Sequence, residues 1–481
     1  MSFASFLKIN SIIVAFVGIS FFIPLATALS LGEREVVAPF LIPLLVSWIF
    51  AAIVFAATKK KPIKLSSRGT FFIVAFAWIF ASLFGALPLF FSGAIPRFVD
   101  AVFESVSGFS TTGTTILSEV ESLPRSINLW RCELHWLGGM GIVVLTVALL
   151  PLLGIGGFQL IKAETTGPEK GKVTPKITTT AKILCIINTS LTGLETVLLM
   201  LCGMDFIDAL SHAFATLGTG GFSTRSGSIA DFHSAAIDIV CTVFMILGGV
   251  NFTLYYYALC GKFSDVLRNS EVKAYFGIIV VASIAVSLFI MPNYNGFFQA
   301  LRYGTFQVVT LLTTTGFSTA DYTTWASSAQ FILFILFFIG GSAGSTSGGI
   351  KVIRWVVMGK QVHNETKKML HPHGIFTIRL DGNPASKDIV SNVASFMTLY
   401  FLLLIITTFV GTLGKLDVLS ALTASLSMLG NIGPAMGKLG PAANFGFLPD
   451  FVKWFYAFAM LAGRLELYTM LIYFVPSFWK R

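Results

Sequence analysis

Thr111-Thr-Gly113-Thr-Thr115, Thr219-Gly-Gly221-Phe-Ser223, Thr314-Thr-Gly316-Phe-Ser318 and Asn431-Ile-Gly433-Pro434 are four short knots of small and polar residues in an otherwise apolar chain. Aligned on Gly113, Gly221, Gly316 and Gly433, they share more than the glycine. Twelve residues upstream stand Ala101, Ala209, Gly304 and Ala421, and six upstream stand Ser107, Ala215, Thr310 and Ser427, small in every copy. The glycines are 108, 95 and 117 residues apart, and each interval holds one apolar stretch after a knot and one before the next. The repeating unit is therefore helix, re-entrant loop, helix, present four times.

Composition says what surrounds those units. Of 481 residues, 55% are apolar and only 12% charged, with mean hydropathy +0.80 and 47 Phe. A water-facing surface needs about a quarter of residues charged, so the outside of this protein must face lipid. A soluble enzyme, a disordered chain and a nucleic-acid binder are excluded on that ground. Five scattered cysteines, with no C-x-x-C pair, indicate neither a disulfide framework nor a zinc site. Stretches of about 20 apolar residues predict ten spans, near 9–29, 38–58, 70–92, 134–154, 183–203, 236–260, 274–292, 330–358, 389–411 and 449–475. The 330–358 stretch is interrupted by Gly340-Gly-Ser-Ala-Gly-Ser-Thr-Ser-Gly-Gly349 and reads as a broken helix.

The net charge of +10 is a topology signal. Alternate connections, with Lys8 and the C-terminal Lys480 and Arg481, collect 23 of the 33 basic residues against seven acids, a net +16 that leaves −6 for the rest. The basic side is expected to be cytoplasmic, with both termini on it. Lys8, the apolar run and Ala26-Thr-Ala28 imitate a secretory signal, but the length of the run favours a retained helix.

The expected architecture is an all-α polytopic membrane protein: four pseudo-symmetric repeats of outer helix, pore loop and inner helix around a central pore, preceded by two extra transmembrane helices. Residues 1–68 hold the extra pair, and 69–182, 183–273, 274–388 and 389–481 hold the repeats. Each loop begins with about twelve helix-compatible residues, too few to span, and returns as extended chain. Irregular backbone at membrane depth is tolerated where it lines a watery cavity. Four such loops on one axis point carbonyl oxygens at a dehydrated cation, and glycine admits the backbone angles required. The candidate ligand positions are Thr111, Thr112 and Gly113; Thr219, Gly220 and Gly221; Thr314, Thr315 and Gly316; and Asn431, Ile432 and Gly433. All donors are hard oxygens, which suits an alkali cation. Glycine turns that merely join helices are the plainer reading, and one knot alone would support it.

At these residues the chain resembles the superfamily of bacterial, fungal and plant potassium transporters, most closely the TrkH/TrkG subunits of bacterial Trk uptake systems. The likeness rests on the four single-glycine knots, Gly-Phe-Ser-Thr in repeats two and three, the Gly340–Ile350 stretch, Gly463-Arg-Leu-Glu-Leu467, and the two extra helices that the sodium-linked KtrB subunit lacks. The resemblance implies potassium as the transported ion, with no organic cofactor in this chain. It further implies a bacterial inner-membrane location, a homodimer with one pore per protomer, and a cytoplasmic TrkA-type subunit that binds NAD(H) or ATP. One glycine per loop, in place of the five-residue filter of dedicated potassium channels, implies looser selectivity.

Two features sit inside the membrane beneath the loops. Gly340, Gly341, Gly344, Ser345, Thr346, Gly348 and Gly349 are expected to form an intramembrane gate that the basic segment 351–368 moves; a kink for close helix packing is the alternative. Arg464, near the middle of the last span, is expected to act as an electrostatic barrier below the loops, or else to pair with Glu466 or Glu195. His135 and His212 have no ligand partner at helical spacing and read as packing or hydrogen-bonding residues. Asp100, Asp208 and Asp417 open three of the short helices and read as N-caps or a cation-attracting mouth. Three alternatives stay open: a sodium-stimulated pore, a proton-coupled symporter using Glu195 and Asp238, and a membrane enzyme using His135 with Glu133 or His212 with Asp208.

Overall fold

A computed structural model describes residues 3–59, 67–141, 177–385 and 388–479, and it is almost wholly helical. Each repeat has an outer helix, a short pore helix and an inner helix. In repeat one these are Ser67–Phe91, Phe98–Phe109 and Arg125–Gly139; in repeat two, Ile177–Leu201, Phe206–Gly218 and Ala235–Gly249. In repeat three they are Ser270–Ile290, Phe297–Leu312 and Ser327–Leu336; in repeat four, Ile389–Leu413, Val418–Gly430 and Asp450–Arg464. Helices Phe3–Ser20, Phe22–Leu31 and Arg34–Thr58 precede them; the first and third of these pack against outer helix 1 and the second against inner helix 1.

Each outer helix packs along its own pore helix. That crossing explains the small residue twelve positions before each loop glycine. A methyl group on Gly304 would run into Ser287 of outer helix 3, and the Ala421 side chain meets Gly411 of outer helix 4. Inner helices reach further round. Inner helix 1 lies against pore helix 2, inner helix 2 against pore helix 3, and inner helix 4 against pore helix 1. The four units therefore interlock in chain order about one axis. Lipid-facing positions of the outer helices stay apolar, as at Val281, Leu288, Ile405 and Phe409, each more than half exposed.

The inner helices correct the expected spans. Six helices among the described residues, of 23 to 29 residues, have the length and apolarity to cross a bilayer. The inner helices do not join them as unbroken rods. Where 134–154 was expected, the helix begins at Arg125 and ends at Gly139, and residues 142–154 lie outside the described ones. Where 236–260 was expected, inner helix 2 stops at Gly249 and turns by 93° into Phe252–Leu259. Inner helix 4 ends at Arg464, short of the expected 475, because Glu466 and Leu467 take left-handed backbone at φ 55° and 61°. The expected break in 330–358 is present, with helix resuming at Val352–Leu370.

A helix ending inside a membrane leaves carbonyls that need donors, and each break has them. Gly249 O accepts from Ser342 N at 2.9 Å, Gly248 O from Thr346 Oγ1 at 3.1 Å and Leu247 O from Tyr255 Oη at 2.6 Å. Gly138 O accepts from Arg464 Nη2 at 2.7 Å. The bend in inner helix 2 is capped by Asn251, whose Oδ1 accepts from Thr253 N at 2.9 Å.

Candidate functional site: four loops on one axis

The four pore helices end in the same way. The residue two before each loop glycine (Thr111, Thr219, Thr314, Asn431) is left-handed, with φ between 53° and 58°. The next residue sends its N–H back to the carbonyl six positions before the glycine. These bonds run Thr112 to Ser107 at 2.9 Å, Gly220 to Ala215 at 2.8 Å, Thr315 to Thr310 at 2.8 Å and Ile432 to Ser427 at 3.0 Å. This is the Schellman closure, usually built on glycine. Here three of the four left-handed positions carry a β-branched threonine, at a cost of about 1 kcal/mol or more each, the kind of strain that collects at functional sites.

The glycines then close a ring. All four have positive φ, 80°, 78°, 88° and 103° in chain order. A Cβ on Gly113 would strike the carbonyl oxygen of Gly220; one on Gly221, that of Thr315; one on Gly316, that of Ile432; and one on Gly433, that of Thr112. Every one of these approaches is within 3.0 Å, and every one is to the residue preceding the next repeat's glycine. The cycle passes from repeat one through four and back, so the four knots encircle a single narrow axis. On one side of it a cavity of about 100 Å³ touches all four glycines.

On the opposite side the axis is occupied by the 340–350 loop and Arg464. Gly348 N donates to Thr314 Oγ1 at 2.7 Å, so the loop is hydrogen-bonded to the underside of knot three. Gly348 itself lies against Gly430 O and the Asn431 side chain, where a Cβ would not fit. Arg464 Nη1 donates to Thr346 O at 2.6 Å and to Thr111 Oγ1 at 3.1 Å, joining the loop to knot one. The loop is also tied from beneath. Buried Glu271, at the start of outer helix 3, accepts from Ala343 N at 2.7 Å and Ile353 N at 3.1 Å, both on Oε1. Lys351 Nζ donates to Ser347 O, and Arg354 pairs with Glu466 at 2.7 Å.

The reading of the caps needs correction. Asp417 does cap its helix, accepting from Ser420 N at 3.1 Å. The cap of pore helix 2 is Asp205, not Asp208, and Asp208 faces Arg125 and Arg225 at 3.3 and 3.4 Å. Asp100 holds Lys453 Nζ at 2.6 Å. Asp238 pairs with Arg302 at 3.4 Å. The histidines hydrogen-bond, as read. His135 Nδ1 donates to Gly108 O at 2.8 Å while Nε2 accepts from Phe222 N at 3.2 Å. That fixes a neutral tautomer and ties pore helix 1 to knot two. His212 joins Asp208 O at 2.7 Å and Ser223 Oγ at 2.8 Å. His212 thus bonds the main-chain oxygen of Asp208 and not its carboxylate, and the ring nitrogens of His135 go to Gly108 and Phe222 and not to Glu133.

A model of the TrkH family, described as cation transport proteins, matches residues 38–481. The chain belongs to that family. A Trk system potassium uptake protein TrkH of Halomonas elongata is 40% identical over 426 residues, 87% of either chain. The protein of that name from Escherichia coli K12 is 38% identical over 427 residues, 88% of either chain. The crystal structure of the potassium transporter TrkH from Vibrio parahaemolyticus matches with a TM-score of 0.89 and 34% identity over the whole of both chains. Like these TrkH proteins it is an all-α integral membrane protein, and its relatives are transporters by name, not enzymes.

Sequence reasoning missed one pair in this TrkH-family site. Arg131 of inner helix 1 and Glu104 of pore helix 1, 1% and 0% exposed, meet at 2.6 Å directly behind knots one and two. Glu104 sits nine residues before Gly113, a position whose identity differs in every repeat, so the search for shared residues passed over it.

Proposed function

We propose that this chain is the potassium-conducting subunit of a bacterial Trk-type uptake system, a four-repeat filter pore in the inner membrane closed by the 340–350 loop. The observation that carries the reading is the closed cycle of four left-handed glycines against four carbonyls, one from each repeat. Carbonyl oxygens converging on an axis replace the hydration shell of an alkali ion. The C-terminal ends of four pore helices direct partial negative charge at the same point. The names of the relatives supply the ion, potassium.

The gate follows from what lies under the ring. Arg464 is a hydrogen bond away from the Thr111 hydroxyl, so a cation reaching that level meets a fixed positive charge. At about 4 Å and an effective dielectric near 20 the repulsion is about 4 kcal/mol, enough to hold back ions without an aqueous seal. The loop supports the same role, since its backbone donor at Gly348 occupies the Thr314 hydroxyl. A cytoplasmic nucleotide-binding partner of the TrkA type would pull through helix Val352–Leu370, which carries the loop at its N-terminal end. The chain works as a homodimer with both termini in the cytoplasm, and binds no nucleic acid.

Uptake of ⁸⁶Rb⁺ into proteoliposomes tests this, with and without the partner and with Na⁺ as competitor. Rb⁺ uptake that the partner raises, and that excess K⁺ suppresses better than Na⁺, is the expected result. No Rb⁺ uptake under any condition by a folded preparation refutes it.

A further inference from the structure

Nine residues before the loop glycines stand Glu104, His212, Gln307 and Ala424. The first three touch the strand of chain that leaves their own glycine. Glu104 accepts from Thr115 Oγ1 at 2.8 Å and Ile116 N at 3.0 Å. His212 meets Ser223 Oγ at 2.8 Å, and Gln307 Nε2 donates to Ala320 O at 3.2 Å. In repeat four the alanine cannot do this and the neighbouring Thr423 does, accepting from Met436 N at 3.1 Å. Every knot thus has a prop from its own pore helix, and the props grade from a carboxylate in a salt bridge to a hydroxyl.

Only the first prop is a salt bridge. Arg131 gives two nitrogens to Glu104 Oε1, Nη2 at 2.6 Å and Nε at 2.9 Å, and adds Thr115 Oγ1 at 3.2 Å. It also crosses to the next repeat. Its Nη1 lies 3.5 Å from Ser223 O, and its guanidinium stacks on the Phe222 ring at 4.3 Å. Asn128 Oδ1 accepts from the same Nη1 at 3.1 Å. A buried guanidinium with these partners has a rigid, planar fork, and charge-assisted bonds are the stronger kind.

We propose that Glu104 and Arg131 are specificity-determining positioning residues, a clamp that sets the spacing of knots one and two and thereby the width of the carbonyl cage. The neutral props make repeats three and four the compliant half, so a smaller ion is rejected only while the clamped half holds its place. The proposal rests on the pore reading above.

The test compares the wild type with Glu104→Gln, the double variant Glu104→Gln/Arg131→Met, and Gln307→Leu, each first checked for folding by size exclusion and thermal melting. The double variant leaves no buried charge unpaired, which is the usual reason such a site fails to fold. Wild-type ⁸⁶Rb⁺ uptake establishes the pore independently; its absence would sink the pore reading and not the clamp alone. Inhibition by Na⁺ relative to K⁺ is then measured. In both Glu104 variants Na⁺ should compete better by about tenfold, the change expected for loss of one charge-assisted hydrogen bond, and in Gln307→Leu by far less. A folded, Rb⁺-transporting double variant with wild-type Na⁺ discrimination overturns the proposal. So does a Gln307→Leu variant that loses as much discrimination as the clamp variants.

Discussion

Glu271 decides how firmly the 340–350 loop is held, and its replacement gives the most quantitative test of the gate. The carboxylate takes two backbone N–H groups on a single oxygen, Ala343 from the loop and Ile353 from the helix after it. Bonds to a charged acceptor contribute about 1.5–3 kcal/mol each and neutral ones about 0.5–1.5. Glu271→Gln keeps an oxygen in place and weakens the two bonds together by at most about 2.5 kcal/mol, the difference between a fully charged acceptor and a neutral one. Glu271→Ala removes both, about 4.5 kcal/mol at the middle of the range. If these contacts exist only while the loop is seated, the balance between shut and open states shifts toward open by up to about 70-fold in the first variant and roughly two-thousandfold in the second. The assay is basal ⁸⁶Rb⁺ flux into proteoliposomes without the cytoplasmic partner, normalised to folded protein. Flux should rise from wild type to Gln to Ala until the pore is fully open. Basal flux unchanged in both variants, at wild-type thermal stability, would refute the idea that seating the loop closes the path.

Three other outcomes follow from the same geometry. Arg464→Ala removes the charge beneath Thr111 and the donor to Thr346, so transport should rise at normal expression; lower flux by well-folded protein contradicts the barrier role. Gly316→Ser places a Cβ against the Ile432 carbonyl and must widen or tilt the ring, so K⁺/Na⁺ permeability ratios measured under bi-ionic conditions should fall toward unity. Acid should weaken the contacts that tie the start of inner helix 1 to repeat two. Burial alone would raise the Glu121 carboxyl, but the Ser226 hydroxyl and amide, with Arg225 beyond, hold it below its ordinary 4.5. Burial likewise opposes Asp205, which the Asp208 amide and Arg125 keep below 3.8. A carboxyl lowered on folding stabilises fully above its unfolded value and loses that contribution as pH falls through the folded one. The contribution of these two carboxyls to the melting temperature should therefore be constant between pH 7 and about 5 and be lost below about 4, and Ser226→Ala should make the loss below pH 4 shallower than in the wild type.

Much of the loop was readable from spacing alone. The small residue six before each glycine recurs where the chain is completely buried in every repeat, and the one twelve before recurs because an outer helix crosses there. Both are demands that every repeat shares, so alignment exposes them. The breaks in inner helices 2 and 4 were less visible. Gly248-Gly249 and Gly463 stand at the level where Gly340-Gly341 breaks inner helix 3, 24 to 30 residues after the respective loop glycines, but within apolar runs they read as continuous span. What decides them is the donors waiting at the ends, from Ser342, Thr346 and Tyr255 at the second break, and these come from distant or tertiary-placed segments.

By itself the sequence determined the environment, the fourfold count and the identity of the loop residues, since apolarity, period and glycine position are properties of a one-dimensional string. Only the tertiary structure decided which carbonyl each glycine faces, what Arg464 touches, and that Arg131 stands behind two knots at once. Arg131 and Ser223 are 92 residues apart, and Arg131 differs in kind from Ile239, Phe334 and Phe451, its counterparts in the other repeats. A contact made once, between unlike partners, leaves no period to read; it exists because four helical hairpins close a ring and bring the first repeat's inner helix against the second repeat's pore helix.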